Sequence, residues 1–200
     1  MRGALHVAFE EGTQSQWLYD LLLPTVDRVV VCDGRRARRE GNKGDRVDAD
    51  RLSELLRLGG LHPVYHGSLH RADLKELTRA YRSLVEDSVR VMARIKALFR
   101  ARAIPTSGSA VYRASERERW LAALDGGGVR FRAEALYAEL EVLRELRPKA
   151  KAAMVAEARR DPAWSVLLSI PFFGPVRVAL LLATLGTPWR FRTKRQLWAY

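Results

Sequence analysis

Short apolar runs open the chain, and long helical repeats fill its middle. His6-Val7-Ala8-Phe9 is a brief apolar run ending in Glu10-Glu11-Gly12, the mark of a strand that delivers carboxylates at its C-terminal end. Gln14 to Leu23 carries Trp17, Leu18, Leu21 and Leu22 at helical spacing, and Pro24 stops it. Val26 to Cys32 is β-branched and largely apolar, as in a strand buried on both faces, and Asp33-Gly34 closes it. Leu52, Leu55, Leu56 and Leu58 then space an amphipathic helix that begins near Asp45. Strand, helix, strand, loop and helix in that order predict a βαβα unit with a parallel strand pair. In such sheets ligand chemistry gathers beyond the carboxyl ends of the strands.

The middle predicts helices that need a partner. Leu74, Leu77, Tyr81, Leu84, Ser88, Val91, Ile95 and Leu98 step alternately by threes and fours, a heptad seam with one polar position. Phe131, Leu136, Leu140, Leu143 and Leu146 line a second helix, with Asp125-Gly126-Gly127-Gly128 separating it from the segment Val111 to Leu124. The expectation is an antiparallel helical hairpin or coiled-coil arm. Arg159-Arg160-Asp161-Pro162 marks the next boundary. Beyond it, Leu167-Leu168-Ser169-Ile170-Pro171-Phe172-Phe173-Gly174-Pro175 leads into a small-residue helix, a pattern similar to a helix-hairpin-helix. Phe172 stands where that turn ordinarily has its first glycine, and an ordinary packed helical hairpin is the plainer alternative. The fold class expected is thus α/β plus mostly helical, divided into residues 1–66, 67–160 and 161–200.

Charge adds a class of partner. Thirty-five Lys and Arg against 23 Asp and Glu give +12, with Arg, the side chain suited to bidentate phosphate contacts, in large excess over Lys. One basic cluster is Arg35, Arg36, Arg38 and Arg39, followed by Lys43 and Arg46; a second is Arg190, Arg192, Lys194 and Arg195, interleaved with Trp189, Phe191 and Trp198. Phosphate grip beside aromatic stacking points to nucleic acid. The single cysteine, Cys32, lies in a strand predicted to be buried and reads as a small core hydrophobe. No run resembles a signal peptide or reaches transmembrane length, so the expected location is cytoplasmic, with no membrane partner.

Within Gly41-Asn42-Lys43-Gly44-Asp45-Arg46-Val47-Asp48-Ala49, two aspartates stand three apart at the mouth of the predicted helix. Positions so spaced share a helix face. Two hard oxygen ligands beside basic residues suit Mg²⁺ held against a phosphate. Acidic residues also stabilise a helix N-terminus without any ligand. Glu10, arriving from another segment, favours convergence on a site. His62, His66 and His70 are spaced by four, but Gly59, Gly60, Pro63 and Gly67 break any helix through them. They read as surface-loop histidines, not a zinc set.

Phe9-Glu10-Glu11-Gly12-Thr13, Val29-Val30-Val31-Cys32, the Gly41 to Ala49 segment and Ser169 to Pro175 together resemble the insertion-sequence one-ten family of transposases, over essentially the whole chain. The resemblance implies a RuvC-like, ribonuclease-H-type domain with a DEDD metal site, then a helical region and a C-terminal transposase domain. It implies Mg²⁺ or Mn²⁺ held by Glu10, Asp45 and Asp48, with Glu11 as the alternative to Glu10. It further implies DNA strand cleavage and exchange through a covalent serine step, a structured guide RNA choosing targets, and a homo-oligomer formed through the helical region. Two departures qualify it. No aspartate lies among the nine residues before Glu10, where the family has its first ligand and three strands, and none of the serines matches the family's nucleophile. The chain is therefore expected to be a fragment with an open, aggregation-prone sheet edge beside His6 to Phe9. A catalytically inactive remnant that binds only nucleic acid or a full-length partner is the alternative function.

Overall fold

A computed structural model describes residues 3–34, 44–66 and 69–200. The chain divides into two compact units, Met1–Ser68 and Leu69–Tyr200.

In the first unit, β1 (His6–Glu10) and β2 (Arg28–Cys32) pair in parallel, joined by α1 (Ser15–Leu22). His6 stands opposite Arg28 and Glu10 opposite Cys32. Val30, Val31 and Cys32 are all buried, so β2 is covered on both faces, as its unbroken apolar run predicts. On the edge of β2 away from β1, residues 62–64 run antiparallel: Val64 N–H donates to Val31 O at 2.7 Å and Asp33 N–H to His62 O at 3.2 Å. Among the described residues no strand pairs with the outer edge of β1. α2 (Asp45–Leu58) packs on β1 and ends at Gly59, whose φ of 70° suits a residue without a Cβ. Several apolar positions differ from expectation: Trp17, Leu21 and Leu58 are exposed. One face of each short helix is sufficient to cover a two-stranded sheet, so among the described residues the outer members of the repeat stay exposed.

The second unit is a helical hairpin with short helices around it. α3 (Leu69–Arg100) and α5 (Gly127–Ala158) make its most extensive contact, with α4 (Arg117–Ala122) and two 3₁₀ turns between them. Val91, Ile95 and Phe99 near the end of α3 meet Leu136, Tyr137 and Leu140 near the start of α5, whereas Leu74 meets Met154 and Ala158. The two helices are therefore antiparallel. The polar seam residue Ser88 is buried and satisfied locally, its hydroxyl donating to Leu84 O at 2.6 Å. Phe131, expected in the core, is 73% exposed, and Leu146 is exposed as well. Ala133 and Tyr137 face α3 instead. The glycine run does not stand outside the second helix: Gly127 and Gly128 form its first turn, capped by Gly126 at φ 93°. The helix also continues through Pro148 to the expected boundary near Arg159.

α6 (Trp164–Leu168), α7 (Pro175–Leu185) and α8 (Lys194–Trp198) complete the unit. Val178, Ala179, Leu182 and Ala183 of α7 pack with Leu74, Met154 and Ala158 into a second buried cluster. The segment beyond residue 160 thus shares a core with both hairpin helices. No helix among the described residues is long and apolar enough to cross a membrane.

Candidate acidic site and basic surface

Glu10 is the last residue of β1, and its carboxylate lies against Gly34, just beyond β2. A Cβ at residue 34 would fall 2.6 Å from Glu10 Cδ, so only glycine leaves the carboxylate its place. Glu10, Asp45 and Asp48 line one open cavity of about 580 Å³, together with Ala8, Leu52 and Leu56. Contact between α2 and β1 brings the first turn of that helix to the strand. Gly44, its N-cap, is extended and has no side chain to satisfy the free N–H groups. Asp45 and Asp48 in the first turn offset the positive end of the helix, so the same positions serve helix stability and present carboxylates to the cavity. The negative charge reaches β2: burial first, then the charges of Glu10 and Asp33, push the Cys32 thiol up from its ordinary value.

Glu11 serves a different neighbour. Its Oε2 lies 3.5 Å from His66 Nε2, and the His66 side chain is only 6% exposed. The expectation of surface-loop histidines is therefore wrong for His66. Gln16 Nε2 donates to both oxygens of Asp20, at 3.0 and 3.2 Å, which leaves Gln16 Oε1 to face His66 Nδ1 at 3.0 Å. The ring stacks on Tyr19, centroids 5.1 Å apart. Glu11, Gln16, Tyr19 and Asp20 together hold the segment that follows residues 62–64. Gln16, Tyr19 and Asp20 stand three and four apart, a polar and aromatic helix face that signals a buried polar neighbour. That signal is present in the sequence.

Among the described residues no three His, Cys, Asp or Glu side chains converge closely enough to hold a metal ion. The donors on the cavity fit a hard divalent cation in kind, since all three are carboxylates and Gly34 leaves room for the first.

Of the basic residues, Arg46 is exposed in the first turn of α2, while Arg35, Arg36, Arg38, Arg39 and Lys43 lie outside the described residues. Arg190 differs from its neighbours. Its guanidinium lies 4.9 Å from the Phe191 ring and 4.5 Å from the Tyr200 ring, and Nη1 donates to Leu185 O at 3.3 Å. It ties the C-terminal residues to the end of α7. Arg192, Lys194 and Arg195 are exposed, and Trp189 and Trp198 stand 91% and 86% exposed beside them. Thr187 and Thr193 hydroxyls accept from Trp189 N–H and Gln196 N–H, fixing the two short turns that carry these side chains.

A parallel strand pair with carboxylates on a cavity at its edge, followed by a long helical hairpin, defines an α/β protein with a helical extension. Residues 3–102 match the sequence model of the DEDD transposases of the IS110 type, described as a transposase, and the chain belongs to this transposase family. The match runs from β1 past the end of α3. No curated protein matches the chain.

Proposed function

We propose that the first unit is a partial RuvC-like, ribonuclease-H-type domain whose Glu10, Asp45 and Asp48 hold Mg²⁺ or Mn²⁺ for DNA strand cleavage during transposition. The observation that carries this reading is one cavity lined by Glu10, Asp45 and Asp48 in a member of a transposase family. Glu10 is favoured over Glu11 because Glu11 is turned to His66. When bound, the cation would polarise a phosphate oxygen and offset its charge. Mg²⁺ commonly keeps waters and phosphate oxygens as ligands beside one or two carboxylates. An open cavity is compatible with that habit. Exposed Arg46, next to Asp45 in the first turn of α2, with Lys43 three residues before it in sequence, would bind the phosphate that the carboxylates alone would repel.

The second unit supplies DNA contacts and assembly in this proposal. Arg192, Lys194 and Arg195 beside exposed Trp189 and Trp198 support nucleic-acid binding. The turn between α6 and α7 would act as a helix-hairpin-helix. Exposed Val89, Phe131 and Val142 on α3 and α5 support association of copies through the hairpin, as in a coiled-coil arm. A structured guide RNA, which the family resemblance implies, and action in the cytoplasm complete the reading.

Thermal unfolding with and without Mn²⁺, combined with a DNA-cleavage assay, tests the reading. Mn²⁺ should stabilise the wild-type chain, and the double variant Asp45→Ala, Asp48→Ala should lose the shift. An unchanged wild-type melting curve sinks the metal assignment. Metal-dependent stabilisation and salt-dependent DNA binding without cleavage would instead favour the binding-only remnant.

A further inference from the structure

Phe172 occupies a conformation that a phenylalanine rarely adopts. It has φ 68° in the turn between α6 and α7, the left-handed region where a Cβ meets the following carbonyl and glycine is the usual occupant. Its ring is 90% exposed. A bulky apolar side chain is thus held in a strained backbone and presented to water, and both features cost free energy.

The surroundings fix that presentation. Phe173, the next residue, packs against the cluster formed by α3, α5 and α7, and its N–H donates to Ile170 O at 3.1 Å. Arg177 Nη1, from the first turn of α7, donates to Phe172 O at 2.8 Å. With Phe173 anchored inward and the Phe172 carbonyl pinned from the helix, the Phe172 ring is held outward. From Pro162 to Tyr200 the chain has no Asp or Glu, but it has Arg177, Arg190, Arg192, Lys194 and Arg195. Phe172 precedes α7 and Arg192, Lys194 and Arg195 follow its far end, so an extended occupant with negative charge along its length and a flat apolar surface suits this segment. A base stack flanked by phosphates offers both.

We propose that Phe172 is a wedge that enters the base stack of bound DNA, partly unstacking one step, while exposed Arg192, Lys194 and Arg195 hold the phosphates. The inference rests on the reading that this chain binds DNA, and it adds the residue and the manner of contact. Apolar side chains inserted at flexible pyrimidine–purine steps act in this way in other DNA-binding proteins.

The experiment uses the whole chain and a short duplex carrying a fluorescent adenine analogue at a central TA step. Wild type should bind with a salt-dependent affinity and raise the fluorescence as the step unstacks. Phe172→Gly should keep the melting temperature or raise it by about 2 °C, because glycine suits the backbone. The same variant should bind about tenfold more weakly and abolish the fluorescence rise. Phe172→Trp should retain both. A drop of several degrees in the Phe172→Gly melting temperature would mean that the ring is structural and overturn the wedge. Wild-type binding and fluorescence in Phe172→Gly would also overturn it, while leaving the DNA-binding reading standing. Absence of salt-dependent binding in wild type would remove both. Loss of binding to phosphatidylglycerol vesicles, or of self-association, with DNA binding unchanged would reassign the ring to a membrane or to a second copy.

Discussion

Gly34 and Glu10 lie so close that residue 34 can carry no side chain without displacing the Glu10 carboxylate. The atoms that a Cβ would meet are the far end of a flexible glutamate, not backbone. Gly34→Ala should therefore leave folding stability within about 1 kcal/mol of wild type while moving Glu10 from its place on the cavity. The expected outcome is a normal melting curve without metal and a clearly smaller Mn²⁺ shift. A full metal response from Gly34→Ala would show that the position of Glu10 does not matter to binding.

Glu10 and Glu11 should separate in the same assay. Glu10 lines the cavity, and Glu11 faces His66 across 3.5 Å. Glu10→Gln should remove most of the metal-dependent stabilisation. Glu11→Gln should retain it and instead loosen the segment around His66, read as faster hydrogen exchange at Val64 N–H, which bonds Val31 O. The reverse pattern, with Glu11→Gln silent to metal and Glu10→Gln responsive, would make Glu11 the ligand.

The four C-terminal cations should not behave alike. Arg190 is engaged by Phe191, Tyr200 and the Leu185 carbonyl, whereas Arg192, Lys194 and Arg195 are exposed. Replacing Arg192, Lys194 and Arg195 together with alanine should flatten the dependence of DNA affinity on salt by about 3 in log–log slope, near one per lost phosphate contact, with little change in melting temperature. Arg190→Ala should lower the melting temperature and change the slope less. Equal slope losses from all four would mean that the ring contacts of Arg190 yield to phosphate.

What the sequence disclosed follows from how local each signal is. β2 was readable because Val29, Val30, Val31 and Cys32 form an unbroken apolar run, which only a strand covered on both faces can hide. The hairpin was readable because the seam through α3 repeats often enough to exclude other periods, and even Ser88 lies buried on it. Leu146 and Phe131 misled because apolar residues on a long helix need not face its partner. Ala133 and Tyr137 do, and Ala gives little signal in a hydrophobic pattern. At the acidic site, the three-residue spacing of Asp45 and Asp48 was legible, since helix geometry alone puts them on one face. The choice between Glu10 and Glu11 was not. Glu10 ends β1 and Glu11 lies just past it, and only the distant residues Gly34 and His66 distinguish where the two side chains go. The backbone of Phe172 was equally hidden, because the missing turn glycine is visible in sequence but the conformation its replacement adopts is not.

Tyr137 sets the behaviour of the hairpin in alkali. Its hydroxyl donates to Val111 O at 2.9 Å, and its ring is buried between α3 and α5. Burial pushes its ionisation up from 10.0 to about 12, with the Arg117 guanidinium over the ring opposing and Tyr112 adding to the rise. The folded state thus holds the phenol proton more tightly than the unfolded chain. The corresponding stabilisation is complete below pH 10 and is lost as pH rises toward 12, because the unfolded state ionises first. For this one group the loss is about 3 kcal/mol across the window. Tyr112, also raised by burial, titrates in the same direction. Tyr137→Phe should cost about 1 kcal/mol at neutral pH through the lost hydrogen bond and should make the fall in stability between pH 10 and 12 shallower than in wild type. Denaturant unfolding at several pH values measures both effects. A variant whose stability falls as steeply as wild type would place the alkaline sensitivity elsewhere in the fold.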